Sequence, residues 1–121
     1  MKNILTQRNI KGDIMPSSKD YLDFVLEQIS ELDDVTYRAM MSEYIIYYKG
    51  EIVGGIYDNR FLVKNITSAR SLMPDSPLEI PYDGAKKMLL VDNVDDKQFL
   101  VELFNCMYDE LHKQKNRKGK R

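Results

Sequence analysis

The sequence predicts an α+β fold: a two-layer α/β sandwich in which a mainly antiparallel sheet carries its terminal helices on one face. Three observations lead there. Between Val35 and Lys64, runs of aromatic and β-branched residues are cut by Lys49-Gly50 and Asp58-Asn59, residue types that accept positive φ in two-residue hairpin turns. One helical apolar pattern precedes this stretch and another follows it near the C-terminal end. The chain of 121 residues, 43% hydrophobic and 31% charged, is one domain's worth and can bury a core without staples.

The elements follow in order. Residues 1–16 show no clean period and are expected to form a flexible N-terminal extension, with Met15 a second candidate start. Ser17 or Ser18 then caps a helix, Ser17 with Asp20 having the spacing of a capping pair. Its apolar face is Tyr21, Leu22, Val25, Leu26, Ile29 and Leu32, and Asp33-Asp34 ends it. Four strands fit 35–41, 44–49, 51–58 and 60–64, and Gly54-Gly55 inside the third marks a bulge or the close approach of a helix. Asn65 caps a short helix that reaches Met73 and stops at Pro74. Pro74, Pro77 and Pro81 punctuate a loop holding a brief edge strand near Leu78-Glu79-Ile80, and residues 86–91 form a compact apolar strand. Asp95 or Asp96 caps the last helix, whose apolar face is Phe99, Leu100, Leu103, Phe104, Met107 and Leu111. The order is α-β-β-β-β-α-β-β-α. The folded domain is expected over 17–112, with 113–121 a disordered basic tail.

The composition excludes several chemistries. Cys106 is the single cysteine, so no internal disulfide can form, and a reducing compartment is expected. No early segment resembles a secretory signal, and the apolar runs fall short of the ~20 residues of a membrane span. A cytoplasmic protein is the expectation. With one histidine, His112, and one cysteine, a zinc site of N and S ligands cannot be assembled within one chain. Cys106 and His112 face different ways on one helix, so Cys106 reads as a small buried hydrophobe and His112 as a solvated residue at a helix end. The acidic run Asp92-Asn93-Val94-Asp95-Asp96 lacks the central Gly and terminal Glu of a calcium loop. No glycine-rich phosphate loop is present. The strand 49–57 has Glu51 where an RNA-stacking strand needs an aromatic. Tyr44, Tyr47, Tyr48 and Tyr57 read as sheet-packing residues with wet hydroxyls. The expectation is a protein that is not an enzyme, with no catalytic residue, metal or cofactor.

Charge is distributed unevenly around a net of −1. The body from Pro16 to Leu111 holds 9 basic and 18 acidic residues, whereas Lys113, Lys115, Arg117, Lys118, Lys120 and Arg121 stand together without an acid. These six are the candidate nucleic-acid contacts. A basic tail on an acidic body would bind phosphates weakly, without regard to sequence and with steep salt dependence.

The stretch Tyr37-Arg38-Ala39-Met40-Met41-Ser42-Glu43 through Lys49-Gly50, with Asp58 and Phe61-Leu62-Val63-Lys64, resembles the N-terminal domain of the TfoX/Sxy family of bacterial competence regulators. Arg38, Met40, Gly50, Asp58 and Phe61 to Lys64 match that family's pattern. The likeness runs from about Ser18 to Leu111 in a stand-alone form without the family's C-terminal helical domain. Met41 stands where the family has Phe, and Ser42-Glu43 where it has Gly-Gly. The resemblance implies a regulatory domain that binds another protein in transcription or competence control, offers no catalytic residues, and belongs to a kind of fold that often pairs into homodimers.

Overall fold

The computed structural model describes residues 18–119, with side chains through Gln114. The expected extension 1–16 lies outside the described residues, as do Ser17, Lys120 and Arg121. Three helices and six strands follow in the order read from the sequence: α1 (Lys19–Gln28), β1 (Val35–Met40), β2 (Glu43–Tyr48), β3 (Glu51–Tyr57), β4 (Arg60–Val63), α2 (Thr67–Leu72), β5 (Leu78–Glu79), β6 (Met88–Leu90) and α3 (Lys97–Gly119). The strands form one sheet in the order β1-β2-β3-β4-β6-β5, every neighbouring pair antiparallel.

Local chemistry sets the turns. Lys49 and Gly50 have φ of 51° and 85°, and Asp58 and Asn59 have φ of 53° and 57°, as the mirror-image turns of two-residue hairpins require. The β1–β2 turn differs from the sequence reading. It is made by Met41 and Ser42 rather than Ser42-Glu43, because Met40 pairs with Glu43. Met41 therefore holds a positive φ of 56°. Gly54 and Gly55 do mark a close approach, but of a neighbouring strand rather than a helix. A Cβ at Gly54 would overlap the carbonyl oxygen of Leu62 on β4, and one at Gly55 would meet the carbonyl of Tyr44 and the Tyr57 ring. The β2–β3 register also shifts between Ile46 and Tyr47, so the expected bulge is present beside them.

The helix ends refine the sequence reading. The Ser18 hydroxyl accepts from the Tyr21 N–H at 3.0 Å and caps α1. The helix closes at Gln28, short of Asp33-Asp34, because the N–H groups of Ser30 and Leu32 turn back to carbonyls three residues earlier. Asp96 caps α3 by accepting from the Phe99 N–H. Asn65 does not cap α2; its carbonyl and side-chain oxygens accept from Arg70. The cap position is Ile66, and the Ser68 N–H donates at 2.7 Å to Glu110 from α3. At its far end α3 runs past His112 to Gly119, so residues 113–119, expected as unstructured tail, have helical backbone. Lys, Arg and Gln are good helix formers, and positive charge is favoured at a helix C-terminus.

One apolar core joins the layers. Leu22 and Val25 of α1, Ile29 just past its end, and Leu100, Leu103, Phe104 and Met107 of α3 meet Ile46, Val53, Ile56, Phe61, Val63 and Leu89 of the sheet. Phe99, expected in that set, is only partly buried against it. On the opposite sheet face Leu62 and Tyr57 are also buried, yet they stand outside this core.

Candidate functional site

β1 is an edge strand with nothing on its outer side among the described residues. Every residue from Thr36 to Met40 is exposed, so no helix or loop among the described residues covers that part of the strand. The Lys49 N–H donates to the Asp34 carbonyl at 2.9 Å, which fixes the phase of the ladder. By antiparallel alternation, the peptide groups of Val35, Tyr37 and Ala39 then point outward. Large apolar side chains flank this row: Tyr37 is 41% exposed, Met40 47% and Met41 98%. Tyr37 packs edge-on against Tyr44 at 6.0 Å, which stiffens the strand from behind. Arg38 has no ion-pair partner among the described residues. Natural edge strands are usually shortened, bulged, broken by proline or guarded by charge, and of these β1 has only Arg38. By contrast β5, at the other edge, is two residues long.

The structure separates the basic candidates from this edge. Lys113 is exposed on α3, in the same surface cleft as Ser68, Cys106 and Glu110. Lys115, Arg117 and Lys118 lie on the helical backbone beyond it, while Lys120 and Arg121 fall outside the described residues. His112 is tied into a cluster the sequence did not foresee. Its ring stacks on Tyr108 at 5.1 Å, and its Nδ1 lies 3.8 Å from a Glu51 carboxylate oxygen. The Lys49 ammonium sits 5.1 Å from the Tyr48 and Tyr108 ring centres, and the Tyr48 hydroxyl donates to Asn105 at 2.7 Å. This cluster fastens the β2–β3 turn to α3. Cys106 is half-buried rather than buried. Tyr48 and Tyr57 are buried, so both pack within the sheet as expected.

Two carboxylates are perturbed in opposite directions. Burial pushes the Glu43 carboxyl up, helped by nearby Asp58 and opposed by Arg60. Glu110 is held below the ordinary carboxylate range: partial desolvation works against this, but hydrogen bonds from Ser68 and Thr67 and the charge of Arg70 outweigh it. Tyr57 is pushed up to about 12, chiefly by burial and then by Glu43 and Tyr82. No hydrogen bond joins Glu43 to Tyr57 among the described residues, and Glu110 serves a helix cap. No group of three or more His, Cys, Asp or Glu among the described residues is placed to hold a metal ion. No helix among them is long and apolar enough to cross a membrane.

Sequence reasoning passed over the edge strand and Arg60. The signal for the first was the meander itself, whose first strand has a partner on one side only unless a later strand returns to it. Arg60 donates to Glu79 at 2.8 Å, to the Tyr57 carbonyl, and to the carbonyls of Ile80 and Pro81, and so ties the loop after β5 to the β3–β4 turn. Nothing local in the sequence marks it.

Fold and surface thus define a small α+β domain with a covered sheet centre and an open first strand. No family model and no solved structure matches the chain. Over 80 residues it is 31% identical to the uncharacterized 12.7 kDa protein in the trpE 5' region of Spirochaeta aurantia, covering 66% of this chain and 70% of that one. The chain belongs to the family of that protein.

Proposed function

We propose that this is a non-enzymatic, cytoplasmic regulatory domain that binds another protein by accepting one of its strands along β1. The observation that carries the reading is the edge strand, exposed from Thr36 to Met40 among the described residues, with outward peptide groups at Val35, Tyr37 and Ala39. Strand addition draws affinity from main-chain hydrogen bonds and specificity from alternate side chains. Arg38 favours a partner strand with an acidic residue opposite it, and Tyr37 and Met40 favour apolar ones. The resemblance to TfoX/Sxy N-terminal domains supports a setting in transcription or competence control.

Ala39→Pro tests this, because proline there removes an outward N–H and leaves the β2 pairing intact. Wild-type protein and the variant are used as bait in extract of the native cell, with nuclease treatment in parallel. The expected result is a protein captured by wild type and lost with Ala39→Pro, while circular dichroism stays unchanged. A wild type that dimerises in sedimentation, with a monomeric variant, would make the partner a second copy. Capture that survives Ala39→Pro but is lost on nuclease treatment or deletion of 113–121 would replace this reading with weak nucleic-acid binding through the basic residues.

A further inference from the structure

The sheet face opposite the helices carries a second feature, on β3, β6 and β5. The loop after β5 folds back over β3 and β6 and leaves a groove of about 810 Å³ beneath it. That volume lies within the ~300–1,000 Å³ of small-molecule sites. The apolar lining comes from Ile52 and Tyr57 of β3, Leu78 of β5 and Met88 of β6. Its outer wall is Tyr82, whose ring lies 6.2 Å from that of Tyr57. Arg60 fastens the loop through Glu79, Ile80 and Pro81, so the groove is held open by fixed contacts.

The charge around it is one-sided. Lys64, Lys86 and Lys87 line the groove, and no Asp or Glu among the described residues does. None of the three has an ion-pair partner among the described residues. The nearest loop acids are otherwise placed: Glu79 is taken by Arg60, and Asp83 does not line the groove. On a body with twice as many acidic as basic residues, three lysines around an apolar hollow are a local inversion of sign.

We infer that this groove binds a small amphipathic carboxylate, its hydrocarbon or aromatic body against Ile52, Tyr57, Leu78 and Met88 and its carboxylate among Lys64, Lys86 and Lys87. Apolar burial supplies the affinity, and the lysines select the anion over its neutral counterpart. The groove's volume, and the loop that Arg60 fastens along one side of it, favour a small molecule over a long peptide. The inference is independent of the edge-strand reading, since it uses no residue of β1.

Titration calorimetry on the full chain with octanoate, decanoate and dodecanoate, below their micelle concentrations, provides the test. Each added methylene that is buried should tighten binding by about fourfold. Dodecanol should bind at least tenfold more weakly than dodecanoate. Lys86→Glu/Lys87→Glu, both exposed and remote from the core, should weaken dodecanoate at least tenfold, and Ile52→Glu should abolish binding. The inference is overturned if affinity is flat with chain length, if dodecanol equals dodecanoate, or if the double lysine variant binds as wild type does. It is overturned too if an acidic, apolar peptide binds the same residues more tightly than any of the acids. Loss of partner capture by Ala39→Pro with dodecanoate binding unchanged would separate the two surfaces.

Discussion

β1 and β4 are strands of one sheet with similarly apolar sequences, and they meet opposite fates. β4 is buried at three of its four residues; β1 is exposed at five of its six. Composition does not divide them, since Val-Thr-Tyr-Arg-Ala-Met and Arg-Phe-Leu-Val both carry one arginine and β-formers. Position does. β4 lies between β3 and β6, with Phe61 and Val63 under the helices and Leu62 on the opposite face. β1 has one neighbour and, among the described residues, is exposed from Thr36 to Met40. A strand's burial is thus a property of its place in the sheet order, and an apolar edge left open is surface available for binding.

The sharpest way to break the comparison is to truncate matching side chains on the two strands. Phe61 is fully buried, and its ring lies 6.1 Å from that of Phe104 across the two layers. Phe61→Ala should cost about 3–5 kcal/mol in urea unfolding. Met40→Ala, with half its surface in water, should change stability by less than about 0.5 kcal/mol. A Met40→Ala cost near 2 kcal/mol that grows with protein concentration would show the edge to be covered by a second copy.

The next effect is smaller and polar. The segment leaving β4 is fastened by Glu110 of α3, which accepts the Ser68 N–H at the start of α2; β1 has no such clasp. Glu110→Gln should cost roughly 0.5–2 kcal/mol, the range of a lost helix cap. The sign with pH follows from its lowered pKa. The folded state binds this proton less readily than the unfolded chain, so the stabilisation is complete above the ordinary value of 4.5 and is lost as pH falls through the lower folded value. The gap between wild type and Glu110→Gln should therefore narrow as pH falls below the ordinary value of 4.5 in denaturation series. Glu43 acts in the opposite sense. Its raised pKa makes the charged form a liability above the ordinary range, and that liability disappears on acidification.

Element order, the two hairpin turns at Lys49-Gly50 and Asp58-Asn59, and the apolar faces of α1 and α3 were legible in the sequence because each is written within a few residues of itself. The caps show the limit. Ser18 and Asp96 are local and were legible; the partner of the Ser68 N–H lies 42 residues away and was not. The same holds for both surfaces. The openness of β1 depends on which strand fails to pair with it. The groove depends on Arg60 reaching Glu79 and on a loop bringing Lys86 and Lys87 beside Ile52. The basic stretch was legible as charge, but its helical backbone was not, since no apolar period continues past Leu111 to announce it.

The smallest effect lies at the tip beside β1. Met41 is 98% exposed and holds a φ of 56°, a region where a side chain costs energy and glycine does not. Its side chain packs on nothing among the described residues to offset the strain, so Met41→Gly relieves it, while glycine's extra freedom in the unfolded chain takes part of the gain back. A net stabilisation of a few tenths of a kcal/mol, and at most about 1 kcal/mol, is expected from paired urea curves. The informative measurement sets this against partner capture. If Met41 serves only the turn, Met41→Gly leaves capture unchanged. If its side chain extends the apolar border of the edge, capture weakens although the fold is more stable. That opposition would mark Met41 as a residue kept in a strained conformation for binding, whereas parallel loss of stability and capture would mean the turn needs methionine for a packing contact absent from this structure.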